Sequence, residues 1–195
     1  MRKRERQMTA LEDLQASIAG VAETAGPAIV GIGARLRGSG VVIAEGRVLT
    51  NAHNLRGDEV TVSFVDGRSV RGRVMGADMD GDLAVINVET AAVTPLEWAA
   101  GDAVVVGTPV FGTAATGSGT RVTFGTVSAI ARAFRGPGGR RIAGSIEHTA
   151  PLAPGSSGGA VVDAAGRFLG LNTNRLGEGF YLALPADASL RERVD

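Results

Sequence analysis

Five small residues, Gly155-Ser156-Ser157-Gly158-Gly159, stand directly before the apolar run Ala160-Val161-Val162. A nucleophilic serine needs a sharp turn that exposes its Oγ, and it needs backbone N–H groups that converge to hold a developing oxyanion. Glycine reaches the backbone angles such a turn demands. Ser157 fits the role better than Ser156. It alone leaves Gly155 in a donor position, with its own N–H as the second donor, and two glycines behind that let a substrate backbone approach. Taken alone, the pentapeptide fits a flexible Ser/Gly loop equally well.

A serine nucleophile needs a base. The chain has two histidines, His53 and His148. His53 ends Leu49-Thr50-Asn51-Ala52-His53, at the junction of an apolar strand and a loop. An imidazole there can take a proton and return it, as a general base must. His148 lies in an expected strand that leads to the serine loop, where it reads as structural or as part of a cleft wall. The base in turn needs an orienting carboxylate. Asp78, Asp80 and Asp82 share one face if the segment is extended. Asp82 abuts the apolar run Leu83-Ala84-Val85, so it is the acid expected to be held rigidly and partly desolvated. The same acids, with Glu89 eleven residues after the first, also suggest a calcium loop. That loop needs glycine at its sixth position. Leu83 stands there, so no metal site is expected. No phosphate loop, dinucleotide fingerprint or His-Glu-x-x-His occurs, and no cofactor is implied.

The rest of the chain must position these groups. Its 195 residues are 44% apolar and 21% charged, with net charge zero. A real core can form, and the charge balance argues against nucleic acid as the main partner. Cysteine is absent and glycine numbers 29, which excludes a disulfide framework and points to many tight turns. Met1–Met8 is basic, but Glu12 and Asp13 interrupt the apolar stretch a secretory leader needs. The cytoplasm is therefore expected, with export as the competing reading. No run approaches a membrane span.

Leu11, Leu14, Ile18, Val21 and Ala22 recur at helical spacing over residues 9 to 25. Thr9 and Glu12 form a capping-box pattern, and Gly26-Pro27 ends the segment. Short Val/Ile-rich strands follow at 28–37, 40–44, 47–50, 59–65, 69–76 and 83–88, with Asp66-Gly67 as a hairpin turn. After a connector at 95–101 come strands at 103–111, 120–133, 142–149, 160–162, 168–172 and 180–184, then a helical tail at 186–194. Two sets of six strands suggest an all-β pair of six-stranded antiparallel barrels with short terminal helices. The expected divisions are 1–26, 27–97 for the first barrel and 98–195 for the second. His53 and Asp82 fall in the first set and Ser157 in the second.

The chain order His, Asp, Ser is that of chymotrypsin-like enzymes. Gly38-Ser39-Gly40-Val41-Val42-Ile43 with Val48 to His53 resembles the segment that leads to the catalytic histidine of the HtrA/Deg peptidases. Asp82-Leu83-Ala84-Val85 is similar to that family's Asp-Leu-Ala-Val. Gly107 to Gly112 resembles its Gly-Asn-Pro-Phe-Gly stretch, with Thr108 and Val110 departing. Val122 to Ala129 matches its Thr-x-Gly-x-Val-Ser pattern. Pro154 to Gly159 matches the nucleophile motif, with Ser156 where Asn is usual. Gly170-Leu171-Asn172-Thr173, Gly179-Phe180 and Pro185 match its closing strands. The resemblance runs from about residue 15 to 188, in register throughout.

It implies a chymotrypsin-type fold and a serine endopeptidase acting on unfolded or extended polypeptides. The triad would be His53, Asp82 and Ser157, with the oxyanion hole at Gly155 and Ser157. Pro151, Leu152 and the stretch from Leu171 to Arg175 would form the specificity pocket, and Asn172 and Thr173 would pair with substrate as an added strand. No acid stands there, so a small aliphatic residue is expected before the scissile bond. Ala150 replaces a more polar run, and the loops are short. No PDZ domain follows Pro185, so PDZ-based substrate delivery and regulation would be absent or come from another protein. A silent peptide-binding scaffold and an esterase are the rival readings. Monomer and homotrimer both stay open.

Overall fold

The computed structural model describes residues 9–99 and 104–194. The basic segment Met1–Met8 and the expected strand start at Ala103 lie outside the described residues. Helix α1 (Ala10–Thr24) begins at a complete capping box. Glu12 N–H donates to Thr9 Oγ1 at 3.3 Å, and Thr9 N–H donates to Glu12 Oε2 at 2.8 Å. Each bond satisfies a donor that the first turn would otherwise leave orphaned. Val21 is buried in the core, with Leu14 and Ile18 packed against it. Leu11 and Ala22 face solvent, so the buried stripe is narrower than the periodicity suggests.

The first barrel contains β1 (Ile29–Ile32), β2 (Gly38–Ala44), β3 (Arg47–Thr50), β4 (Glu59–Ser63), β5 (Ser69–Asp78) and β6 (Leu83–Asn87). It closes in the order β1-β2-β3-β6-β5-β4. The second contains β7 (Pro109–Thr116), β8 (Gly119–Arg135), β9 (Arg141–His148), β10 (Ala160–Val162), β11 (Phe168–Gly177) and β12 (Phe180–Pro185). It closes as β10-β11-β12-β9-β8-β7. Closure leaves no long unpaired edge, which lets short strands of modest individual stability hold together. Helix α2 (Ala188–Val194) ends the described chain, and Asp187 caps it by accepting from Leu190 N–H at 2.9 Å.

One apolar cluster draws on both barrels, including Val30, Val41 and Leu49 from the first and Phe111, Phe168 and Leu171 from the second. The connector follows this seam. Leu96 N–H donates to Val42 O of the first barrel at 3.0 Å, and Ala99 N–H donates to Phe168 O of the second at 3.1 Å. Between them Trp98 meets Phe168 edge-on, with ring centroids 5.1 Å apart.

Three expected elements are corrected. The strand expected over 28–37 ends at Ile32, because Gly33 and Leu36 take positive φ in a turn. The strand expected over 103–111 starts at Pro109 and runs on to Thr116. The acidic segment after β5 is a turn, not an extended run, so Asp78, Asp80 and Asp82 do not share a face.

Candidate active site

That turn separates the three acids. Asp78 Oδ1 accepts from the Asp80 and Gly81 N–H groups at 3.0 and 2.9 Å, and its other oxygen meets Arg193. The Gly81 bond is the main cause holding its carboxyl below the ordinary carboxylate range, with Arg193 adding to it. Asp80 pairs with Arg140. Asp82 alone turns inward, with φ +54° and only 1% of its side chain exposed. Positive φ is uncommon for a residue with a Cβ, and aspartate tolerates it better than most.

His53 sits in a short 3₁₀ turn, Ala52–Asn54, that follows β3. Its Nδ1 lies 2.9 Å from both Asp82 oxygens, and its backbone N–H donates to Asp82 Oδ1 at 3.2 Å. A carboxylate only accepts, so Nδ1 carries the hydrogen and Nε2 presents its lone pair. Thr173 Oγ1 donates to Asp82 Oδ2 at 2.7 Å, and Asn51 Nδ2 donates to the Asp82 carbonyl at 3.0 Å. The buried acid is therefore held by a web of hydrogen bonds, as a charge removed from water must be. The Thr173 hydroxyl had no signal of its own in the sequence.

Ser157 lies in the loop between β9 and β10, and residues of the first barrel hold that loop. The Ser157 carbonyl accepts from Ser39 N–H at 2.8 Å and from Asn54 Nδ2 at 2.9 Å. Ser39 Oγ donates to Gly155 O at 2.9 Å, and Thr50 Oγ1 donates to Ser39 O at 2.6 Å. Glycine is required where the loop meets its supports. A Cβ on Gly158 would sit 2.1 Å from Ser39 O, and one on Gly159 would sit 2.0 Å from Thr113 O. Ser39, Thr50 and Asn54 were not singled out as functional from sequence, because nothing local marks a residue that supports a loop a hundred positions away.

Among the described residues, the Gly155 and Ser157 N–H groups have no protein partner. Their neighbours do: Ser156 N–H donates to Ala153 O at 3.2 Å and Gly158 N–H to Asn172 O at 2.7 Å. Gly155 has φ +87°. Two free donors flanking one residue can hold an oxyanion. The Ser157 hydroxyl donates to Thr173 O at 3.0 Å. No hydrogen bond joins it to His53 among the described residues.

A cavity of about 520 Å³ opens beside these groups, and His53, Asp82, Gly155 and Ser157 all contribute to its wall. Leu152, Asn172 and Thr173, expected as substrate-binding residues, also line it. Pro151 and Leu171 do not. Pro151 is exposed outside the cavity, and Leu171 is fully buried in the apolar core. The wall is completed by Tyr181 and by Phe134 to Pro137 at the end of β8. Those positions had not been expected, since they lie far in sequence from the motifs.

His148 is buried behind this wall rather than in it. Its Nε2 lies 3.0 Å from Asn172 Oδ1, and its ring stacks on Tyr181 at 5.8 Å. Asn172 Nδ2 donates to Ala160 O at 3.2 Å, so Oδ1 must accept and Nε2 of His148 carries the hydrogen. Its Nδ1 is buried without a partner. Burial pushes the imidazole down to about 4, which removes it as a base near neutrality.

The chain as a whole is similar to known proteins. Residues 38–171 match the family model described as "Trypsin-like peptidase domain". The serine protease Do-like HtrA of Lactobacillus helveticus is 33% identical over 171 residues, which cover 77% of this chain and 40% of that protein. The periplasmic serine endoprotease DegP of Salmonella typhimurium is 36% identical over 142 residues, covering 70% of this chain and 29% of that protein. The solved structure "HtrA-type protease AlgW with decapeptide" superposes with a TM-score of 0.78 at 27% identity, covering 91% of this chain and 66% of that one. This chain thus spans two fifths or less of the length of the two curated relatives. It belongs to the trypsin-like serine peptidases of the HtrA/Deg type.

Proposed function

We propose that the chain is a serine endopeptidase that cleaves extended or unfolded polypeptides through an acyl-enzyme. The observation that carries this reading is the buried Asp82 carboxylate on His53 Nδ1, in the wall of the cavity that also holds Ser157. Ser157 Oγ attacks the scissile carbonyl while His53 Nε2 takes its proton. A tetrahedral oxyanion forms and accepts from the Gly155 and Ser157 N–H groups, each worth roughly 10²–10³ in rate. Its collapse breaks the C–N bond as His53 returns the proton to the leaving amine. Water then attacks the ester by the same route and frees Ser157. Asp82 keeps the imidazole in one tautomer and stabilises the imidazolium. Before the first step Ser157 must turn its hydroxyl from Thr173 O to His53, an exchange of one hydrogen bond for another. Asn172 and Thr173 would pair with the substrate backbone, and Leu152 would favour a small aliphatic residue before the scissile bond.

The hydroxyl's bond to Thr173 O favours a second reading, a peptide-binding scaffold that never turns over. Casein hydrolysis separates the two. Wild type should cleave and His53→Ala should not, whereas a scaffold leaves casein intact in both.

The Salmonella relative is named periplasmic, and none of the helices among the described residues is long and apolar enough to cross a membrane. Export is accordingly the reading of location we favour, over the cytoplasm; cell fractionation with an antibody to this chain tests it. Monomer and homotrimer are told apart by mass in solution.

A further inference from the structure

The cavity beside Ser157 is electrostatically lopsided. Among the described residues, Asp82 is the one carboxylate that lines it, and that group is buried and committed to His53 and Thr173. Two guanidinium-bearing residues, Arg135 and Arg175, line the same cavity and are exposed. Neither has a carboxylate partner among the described residues. Other arginines do: Arg68 meets Asp66, Arg71 meets Glu59, Arg132 meets Glu147 and Arg140 meets Asp80. Acids are as numerous as bases in this chain, 20 of each, so a shortage of partners does not explain the difference.

Both side chains are tethered to nearby backbone. Arg175 Nε donates to Gly177 O at 2.7 Å and Arg135 Nη1 donates to Gly139 O at 3.0 Å. A guanidinium has five N–H donors, so each keeps further donors for a ligand while losing freedom to swing away. Arg135 also stands directly across the strand pair from Arg141. Like charges in that position destabilise a sheet unless an anion lies between or beside them.

We infer that this cleft selects polypeptide segments bearing Asp or Glu close to the scissile bond, with Arg175 and Arg135 as the specificity-determining residues. The inference rests on the peptidase reading and adds to it a substrate class. A substrate carboxylate entering the cavity forms charge-assisted hydrogen bonds with the waiting guanidiniums. Because these groups are exposed, each pair is worth a modest amount and is screened by salt.

Paired peptides that share one cleavable core test this, with Glu exchanged for Gln at each position within three residues of the scissile bond. Wild type should cleave at least one Glu peptide about fivefold faster in kcat/KM than its Gln partner at low salt, with most of the difference in KM. The ratio should fall towards one at high salt, and also in Arg175→Gln or Arg135→Gln. A ratio has its own internal control, so loss of folded enzyme in a variant does not imitate the result. Ser157→Ala is assayed in parallel for binding of the same peptides by fluorescence anisotropy. Cleavage with no Glu preference at any position overturns the substrate class and leaves the peptidase reading standing. Absence of cleavage, with tighter binding of the Glu peptides to Ser157→Ala, overturns the peptidase reading and supports the acidic preference. Absence of cleavage and of preference overturns both.

Discussion

Three donors converge on the Asp82 carboxylate. The backbone and ring of His53 and the hydroxyl of Thr173 all donate to its two oxygens. Asp82→Asn would keep the shape but place an amide that can donate to Nδ1, allowing the wrong tautomer. The expected outcome is a fall in kcat of about 10⁴ with little change in KM, read by steady-state kinetics on a peptide substrate. Thr173→Val removes one donor from a buried carboxylate. A drop in kcat of about tenfold is expected, with stability lower by about 1–3 kcal/mol in urea titration. Asp82 was legible in the sequence because it abuts an apolar strand. The turn at Gly81-Asp82 separates it from Asp78 and Asp80 just as strongly. For Thr173 the sequence suggests only a substrate-pairing role. Its hydroxyl reaches an acid 91 residues earlier, and no local pattern encodes such a reach.

The loop that carries Ser157 depends on an element of the other barrel. Ser39, in β2, donates through its N–H to Ser157 O and through its hydroxyl to Gly155 O. Gly158, at φ +86°, passes against the Ser39 carbonyl. In Gly158→Ala the new methyl group meets both a strained backbone and a backbone oxygen. A loss of about 3 kcal/mol in stability is expected, with fluorophosphonate labelling falling more steeply than the folded fraction. Labelling that simply tracks the folded fraction would contradict the loop's role. At this scale the sequence was most informative where a short apolar run is bounded by turn residues. β3 at Arg47–Thr50 and β10 at Ala160–Val162 fall where Val-rich runs end in turn residues. It was least informative around Val104, Val105 and Val106, which look like a strand but lead into a turn at Val106-Gly107 before β7, with Val105 and Val106 exposed. Apolar composition marks a strand only when the chain can also pair, and pairing is a property of the neighbouring β8.

At the scale of the whole molecule, the buried His148 adds a response to acid. His148 is folded neutral, with its imidazole pushed down from 6.5 to about 4. The unfolded chain binds a proton on this ring below its ordinary value, and the folded chain refuses it until about 4. Stability should therefore be complete above the ordinary value and fall as pH drops through this window, by about 3 kcal/mol from this group. Urea titrations of wild type and His148→Gln at several pH values isolate the contribution. The stability advantage of wild type over the variant should shrink by that amount from about pH 7 to about pH 4. A constant difference would contradict the buried neutral ring. The two-barrel architecture itself was legible from two sets of strands and one connector. The composition of the cleft was not, because Arg135, Tyr181 and Pro137 come together only when β8, β9, β11 and β12 close into a barrel.

The central claim is that Ser157 is the nucleophile, activated by a His53 held on Asp82. Reaction with a fluorophosphonate followed by peptide mapping tests it most directly. One adduct is predicted, on Ser157, absent in Ser157→Ala and greatly slowed in His53→Ala. An adduct on another residue, or equal labelling of wild type and Ser157→Ala, would contradict the assignment.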